Sequence, residues 1–130
     1  MAVKKDINLT QEEEIQVAIE KGKKKYGKVY KTLLADETII WRKLKRSEYK
    51  EIMNMLIYKE EEVVKEDGSV ELQQVVDEDA TFDARQEAIS NKVILYPDNI
   101  VEDMAAVADI ISTECMIKSG FGEAPTTEEC

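Results

Sequence analysis

The segment TIIWRKLKRSEYKEIM, residues 38–53, contains the change from strand to helix that decides the fold. It opens on β-branched and aromatic residues, which favour a strand. Four cations follow within residues 42–46, and Ser47 is the predicted N-cap of a helix. Apolar residues then recur at helical spacing, at Tyr49, Ile52, Met53 and Leu56. The question is whether the cations bind nucleic acid or only connect a strand to a helix.

The residues before this segment complete a β-hairpin. In KVYKTLLADETIIWRKL, two runs that favour strands flank ADE, which is typical of a tight connection. We predict strands near Val29–Leu34 and Thr38–Leu44. Alternation along TIIW places Trp41 on the same face as Ile39, which predicts that Trp41 lies in the core. Arg42 and the neighbouring lysines are then predicted to point outward.

A surface helix is predicted ahead of the hairpin. In LTQEEEIQVAIEKGKKKYGK, Thr10 and Glu13 match a capping box, glutamates fill the first turn and lysines cluster near the end. These signals place a helix from about Gln11 to Lys24. Its narrow apolar face, typical of a helix that lies on a larger core, consists of Ile15, Ala18 and Ile19.

An acidic excursion, residues 59–79, interrupts this pattern. Its DG pair is flanked by EVV and VEL, which predicts a second hairpin kept solvated by the surrounding carboxylates. A helix is expected to follow and to end by Tyr96, because Pro97 disfavours the α conformation in the residue before it. The predicted buried face of this helix consists of Phe82, Ile89 and Val93.

The last predicted helix opens at DN, residues 98–99, and ends at Gly120 in the left-handed conformation, with Phe121 folding back on it. Residues 123–130 form a tail. The chain is therefore predicted to be a small single α+β domain over residues 1–122, with a β-hairpin packed with about four helices. One face of the last helix carries Val101, Met104, Val107, Ile111 and Cys115.

Composition restricts the class of protein. The chain has 130 residues, of which 43% are apolar and 35% charged, and this suits one globular domain with a solvated surface. No apolar run approaches the roughly 18 residues of a membrane span, and the charged start lacks the apolar stretch of a secretory signal. We therefore expect an intracellular protein with no membrane partner. Cys115 and Cys130 are too few for a disulfide framework and are expected to be free thiols.

Catalytic and cofactor sites are not expected. The chain has no histidine, the commonest general base and metal ligand at neutral pH. Its five glycines do not have the spacing of a phosphate-binding loop. The acidic stretch DEDATFD lacks the glycine turn and the final glutamate of a calcium loop. We therefore predict a protein that is not an enzyme and that binds no metal or cofactor.

Two basic stretches, residues 21–28 and 42–46, keep a nucleic-acid-binding regulator open as an alternative. Tyr26 and Trp41 stand in or next to them and could stack on bases while the lysines neutralise phosphates. The net charge opposes this: residues 1–50 carry +5, but residues 51–130 carry −15, which would repel a polyanion. Such a division of charge suits oriented docking of proteins instead.

The order of these features resembles the small tail assembly chaperones and related tail or baseplate accessory proteins of tailed bacteriophages. In that group a β element leads into a motif like RPLTRAEYK, matched here by RKLKRSEYK, residues 42–50. A phrase like VLYP is matched by residues 94–97, and a closing SGF by residues 119–121. The resemblance covers about residues 28–122. Lys43 stands where a proline is common, and the acidic excursion is longer than in the group.

The resemblance implies a non-enzymatic assembly factor that binds a tail or baseplate component, such as the apolar helices of a tape measure protein. It would hold these helices soluble in the host cytoplasm until the virion assembles. The alternative within the same class is a minor structural protein that stays in the tail or baseplate of the particle. Under either hypothesis the basic residues 42–46 are a connection between a strand and a helix, and not a binding site.

The last helix is the candidate partner-binding element, for a tail protein or for another copy of the chain. It is apolar over much of its circumference, so it is either central to the core or shared between core and interface. The flexible thioethers of Met104 and Met116 suit an adaptable contact. The candidate partner-binding residues are Met104, Ala108, Ile111, Met116 and Phe121.

Overall fold

The computed structural model describes residues 2–121 and 126–129, with side chains from residue 11 onward. Within these residues the chain forms five helices and five strands in two antiparallel sheets, so the predicted α+β class is confirmed. In chain order the elements are α1 Ala2–Tyr26, β1 Tyr30–Leu34, β2 Glu37–Trp41, α2 Arg46–Met53, β3 Tyr58–Val64, β4 Val70–Val76, α3 Glu78–Val93, β5 Ile94–Tyr96, α4 Ile100–Asp103 and α5 Val107–Lys118.

The central sheet has the order β1-β2-β5. The predicted first hairpin is confirmed, with Tyr30 opposite Trp41 and Leu34 opposite Glu37. The third strand, β5, was not predicted from the sequence, which indicated only Tyr96 as the latest end of the helix before it. Three residues with β-favouring side chains pair with β2 instead, and such a short strand leaves no periodicity to detect.

The core lies where the helices pack on this sheet. Trp41 is buried as predicted, and its indole Nε1 donates to Thr32 Oγ1 at 2.8 Å. The Tyr30 ring stacks on the indole with 4.7 Å between ring centroids. The other buried apolar side chains of the cluster are Ile39, Ile52, Ile89, Val93, Ile100, Val107, Ile111 and Cys115.

The first helix is longer than predicted. Since α1 begins at Ala2, Thr10 lies inside the helix and the predicted capping box is not its start. Residues 2–10 contain neither glycine nor proline, so nothing stops the helix from extending past a local capping signal. At the other end, Gly27 adopts a φ of 82° and its N–H donates to Lys23 O at 2.9 Å.

The predicted cap of α2 is also wrong. The N-cap residue is Lys45, whose backbone N–H donates to the Glu48 carboxylate at 2.9 Å, while Ser47 lies exposed in the first turn. A glutamate three residues after the cap can satisfy the free backbone donor as a cap side chain would. The helix therefore starts earlier, immediately beside the buried strand end.

The acidic excursion forms the predicted second hairpin. Its strands β3 and β4 pair along their whole length, from Tyr58 opposite Val76 to Val64 opposite Val70. At the turn, Gly68 has a φ of 85°, a conformation that favours glycine. Asp77 directly after β4 caps α3 by accepting the N–H of Ala80 at 3.1 Å.

The predicted last helix is divided in two. Met104 has an extended backbone, with φ −130° and ψ 108°, and separates α4 from α5. Ile100 and Val107 are buried on both sides of the break, so the apolar pattern continues across it and does not reveal it. The predicted end is confirmed: Gly120 has a φ of 100°, and its N–H and that of Phe121 donate to the carbonyls of Ile117 and Met116.

The predicted tail falls only partly within the structure. Residues 126–129 are exposed and without regular structure, and the rest of residues 122–130, including Cys130, lies outside the described residues. None of the helices in the described part of the chain combines the length and the apolar character that a membrane span requires.

Candidate functional site

An apolar groove of about 350 Å³ lies between α3 and α5, beside the end of α2. The two helices run antiparallel. Ser90 Oγ near the end of α3 donates to Ala108 O near the start of α5 at 2.9 Å, and Phe82 near the start of α3 lines the same groove as Ile117 near the end of α5. The residues that line the groove are Met53, Phe82, Arg85, Gln86, Ile89, Ser112, Thr113, Met116, Ile117 and Phe121.

Arg85 fixes one wall of the groove. Its guanidinium donates to the carbonyl oxygens of Met53 at 2.7 Å and of Met55 at 3.3 Å, at the end of α2. These carbonyls have no partner within their own helix turn, so the arginine holds the end of α2 against α3. The charged group is thereby engaged in the scaffold, and the accessible wall of the groove is mostly apolar.

Three large apolar side chains of the groove are exposed to solvent. Phe82 is 62% exposed, Phe121 54% and Ile117 40%. The Phe121 ring contacts the ring of Tyr49, with centroids 4.7 Å apart, so it is held in place although it is exposed. Apolar side chains grouped around a concave surface are typical of a binding site for another apolar surface.

The five candidate partner-binding residues separate into two groups. Met116 and Phe121 line the groove. Ala108 and Ile111 are buried, which favours the core alternative for these two, and Met104 is half-buried against the core cluster. Only the end of α5 is thus placed to contact a partner.

Phe82 and Ile117 belong to the groove but were not among the candidates. Helical spacing assigned Phe82 to the buried face of its helix together with Ile89 and Val93, and only Phe82 departs from it. It lies near the start of α3 and is exposed, although Thr81 directly before it is buried. Helical periodicity shows which face of the helix a side chain is on. It does not show how far along the helix that face is covered by other elements.

The basic corner contains a buried arginine. Arg42 was predicted to point outward, but it is only 5% exposed. Its Nη1 and Nη2 donate to the two carboxylate oxygens of Glu48 at 2.7 and 2.8 Å, and Nη2 also donates to Lys92 O at 3.1 Å. The guanidinium lies 4.4 Å from the centroid of the Tyr26 ring. The prediction failed because both faces of this part of the chain are covered: Ile40 and Trp41 point to opposite faces of β2 and both are buried.

The ion pair changes the protonation of its members. The pKa of Glu48 is lowered to about 2, chiefly by the hydrogen bond from Arg42 and against the effect of burial. The same hydrogen bond raises the pKa of Arg42. Burial raises the pKa of the Cys115 thiol, which keeps it in the unreactive thiol form.

The two basic stretches of the sequence meet at Tyr26. The Nζ atoms of Lys25 and Lys45 lie 5.4 and 5.7 Å from the centroid of this ring, although the two lysines are about twenty residues apart in the sequence. The same two stretches contain the exposed Lys28 and Lys43, and we call Lys25, Lys28, Lys43 and Lys45 together the basic surface. None of these four lysines forms a salt bridge with the part of the chain that the structure describes.

Metal ligands do not cluster in residues 2–121 and 126–129: no group of three or more histidine, cysteine, aspartate or glutamate side chains there is placed to hold an ion. A comparison of the chain with protein-family models, with curated proteins and with solved structures finds no match. The groove and the basic surface therefore have to be interpreted from their own geometry.

Proposed function

We propose that the protein is a non-enzymatic binding protein whose groove between α3 and α5 receives an apolar helix of a partner. The observation that carries this proposal is the exposure of Phe82, Ile117 and Phe121 around one concave surface. Helix-in-groove binding uses such a surface, with apolar anchors from the incoming helix filling the space between two others. Met53 and Met116 supply adaptable contacts inside it.

We propose further that the partner is a tail or baseplate component of a tailed bacteriophage, of the tape measure type. This part is supported by the resemblance of residues 42–50, 94–97 and 119–121 to tail accessory proteins. A protein of this kind acts by mass action: it binds the partner before assembly and lowers the concentration of exposed apolar helices. No nucleotide is needed for that.

Photo-crosslinking tests the groove in the cells that produce the protein. A benzophenone amino acid at Phe82 should give an adduct with a discrete partner, identified by mass spectrometry as a tail or baseplate protein. The matched control is the same probe at Val17, which is 47% exposed but lies on α1, a helix that does not line the groove. Adducts of equal yield at both positions, or none at Phe82, would contradict a binding groove.

A minor structural protein of the virion is the alternative within the same class, and its groove would stay occupied in the particle. Mass spectrometry of purified particles separates the two. An assembly factor is present in the lysate and missing from the particles, whereas a structural protein is recovered in both at a fixed ratio to the other tail proteins.

One structural observation supports the nucleic-acid alternative and two oppose it. The basic stretches form a single surface, which would increase the local positive potential. However, Trp41 is buried and cannot stack on a base, and Arg42 is buried and paired with Glu48, so neither is accessible to a nucleic acid. Protein binding is therefore the function that the geometry favours.

A further inference from the structure

The β3–β4 hairpin has one apolar face. In its register, alternate residues of the two strands share a face, and the side chains on one of these faces are Tyr58, Glu60, Glu62, Val64, Val70, Leu72, Gln74 and Val76. Five of the eight are large and apolar, and all five are exposed, with Val64 at 70% and Leu72 at 60%. This face is therefore uncovered by the described part of the chain.

A hairpin of this kind gains by being covered. Two strands without a third strand or a packed helix are marginally stable in water, and both outer edges of this ribbon keep unpaired backbone groups. Covering the apolar face would bury exposed side chains at each end and in the middle of the ribbon. The feature is thus an unpartnered surface of the molecule as well as an acidic one.

The charge of the hairpin indicates what would cover it. Residues 58–76 contain six carboxylates and two lysines, a net charge of −4. One of the lysines, Lys65, pairs with Glu71 at 2.8 Å, and Glu60 and Glu62 stand on the apolar face itself. A partner surface must therefore combine cations with some apolar area.

The basic surface has this character. Lys25 and Lys45 flank Tyr26, and the chain continues from there into β1, an edge strand whose exposed residues are Lys31 and Leu33. Lys31 and Leu33 lie on the same face of β1, so this strand adds one cation and one exposed apolar side chain. The two surfaces are complementary in charge and lie on different elements of the same chain.

We propose that the β3–β4 hairpin of one copy docks on the basic surface of a second copy. Because the two contacting surfaces are different, the association is head-to-tail and continues until a ring closes or a filament grows. A second copy is favoured over nucleic acid because one contact covers both the hairpin and the lysines, whereas a polyanion would leave the acidic hairpin unpartnered. This inference does not depend on the groove or on the identity of its partner.

Sedimentation velocity of the full-length protein at low and high salt tests the proposal. We expect a mass above that of one chain at low salt, falling toward the monomer as salt screens the contact. Two charge-reversed variants sharpen the test: Glu60→Lys with Glu62→Lys on the hairpin, and Lys25→Glu with Lys45→Glu on the basic surface. Each alone should weaken association about tenfold or more.

Mixing the two variants gives the decisive result. The intact hairpin of one variant then meets the intact basic surface of the other, and the two reversed surfaces are again opposite in charge, so the mixture should regain the association that each variant lacks alone. The matched control is Glu102→Lys with Asp103→Lys, which reverses two exposed carboxylates on α4 and should leave association unchanged. Circular dichroism of every variant confirms that it is folded.

Three outcomes would overturn the proposal. A wild-type chain that stays monomeric at low salt has no such contact. If the α4 control weakens association as strongly as the hairpin variant does, the association depends on net charge alone. A monomeric chain that shifts duplex DNA in a salt-dependent way, and loses this with Lys25→Glu and Lys45→Glu, would assign the basic surface to nucleic acid.

Discussion

The two hairpins of this protein are built alike and end in opposite environments. Both pair antiparallel strands through short turns that contain a residue with positive φ, Ala35 at 52° and Gly68 at 85°. In β1–β2 the side chains of Ile39 and Trp41 are almost fully buried. In β3–β4 the apolar side chains remain exposed, as Val64 and Leu72 show.

The comparison shows that the pairing of two strands and the burial of their side chains have different causes. Pairing is local, because two β-favouring runs joined by a turn suffice to set the register. Burial requires other elements: β5 adds a third strand beside β2, and α1, α3 and α5 contribute side chains that surround it. A hairpin gains most of its stability from this coverage, so equal substitutions in the two hairpins should have unequal effects.

The largest effect is expected at Trp41. Trp41→Ala removes a buried indole, its hydrogen bond to Thr32 and its contact with Tyr30, and should lower the free energy of unfolding by about 3–5 kcal/mol. In the monomer at high salt, Leu72→Ala on the exposed face of β4 should change it by less than about 0.5 kcal/mol. Urea denaturation of both variants, followed by circular dichroism, measures the two values. Similar losses would show that the second hairpin is covered in solution.

An ion pair in each region gives a second comparison. Glu48→Gln leaves the buried Arg42 without its counter-charge and should cost about 3 kcal/mol. Glu71→Gln removes a pair with Lys65 in which both side chains are about half exposed, and should cost less than about 0.5 kcal/mol. Urea denaturation measures both losses. If Glu48→Gln lowers the free energy of unfolding no more than Glu71→Gln does, Arg42 must become hydrated when its partner is neutral.

The same variant predicts a pH dependence. The pKa of Glu48 falls from 4.5 to about 2 on folding, so its contribution to stability is complete above pH 4.5 and is lost as the pH falls through 2. Denaturation of wild type and Glu48→Gln across this window should show the difference between them shrinking toward low pH. A difference that is constant between these two values would assign the effect to shape and not to charge.

The smallest difference between the two regions is expected from two glycines with positive φ. An added Cβ at Gly27 or Gly68 meets no atom within 4 Å, so the cost of Gly→Ala at either is backbone strain of about 1 kcal/mol. Gly27→Ala should lower the free energy of global unfolding by this amount, because Gly27 ends the helix that packs on the sheet. Gly68→Ala should leave it nearly unchanged if the second hairpin opens on its own.

Native-state hydrogen exchange measures the local effect of Gly68→Ala on the second hairpin. Amides of β3 and β4 should exchange faster in Gly68→Ala than in the wild type, while those of β2 keep their rates. Equal acceleration in β2 and β4 would show that both hairpins unfold together, and would remove the distinction between them.

Local signals predicted much of this fold. The two hairpins, the buried position of Trp41 and the end of the last helix at Gly120 follow from alternation, turn residues and left-handed glycine, which depend on neighbouring residues only. The start of α1, the cap of α2 and the break at Met104 were missed. For α1 no residue stops the helix before the capping signal, for α2 the Glu48 carboxylate accepts the N–H of the cap residue, and at Met104 the apolar pattern continues across the break.

The groove was predictable only at one end. Met116 was a candidate because of its flexible thioether on an apolar helix, and Phe121 because it folds back on the end of that helix; both line the groove. Ala108 and Ile111 belong to the same helix and are buried, since α3 covers them. Which turns of a helix are covered depends on where its neighbour ends, and the periodicity of one helix does not contain that information.

The sequence by itself determined the elements and their charge: a strand that leads into a helix at residues 38–53, a second acidic hairpin, and halves of opposite sign. Only the tertiary structure decided that Arg42 is buried against Glu48, that two basic stretches meet at Tyr26, and that the second hairpin has an uncovered face. Elements form from interactions between near neighbours in the chain. Surfaces form from residues that are distant in it, and they depend on how the elements pack.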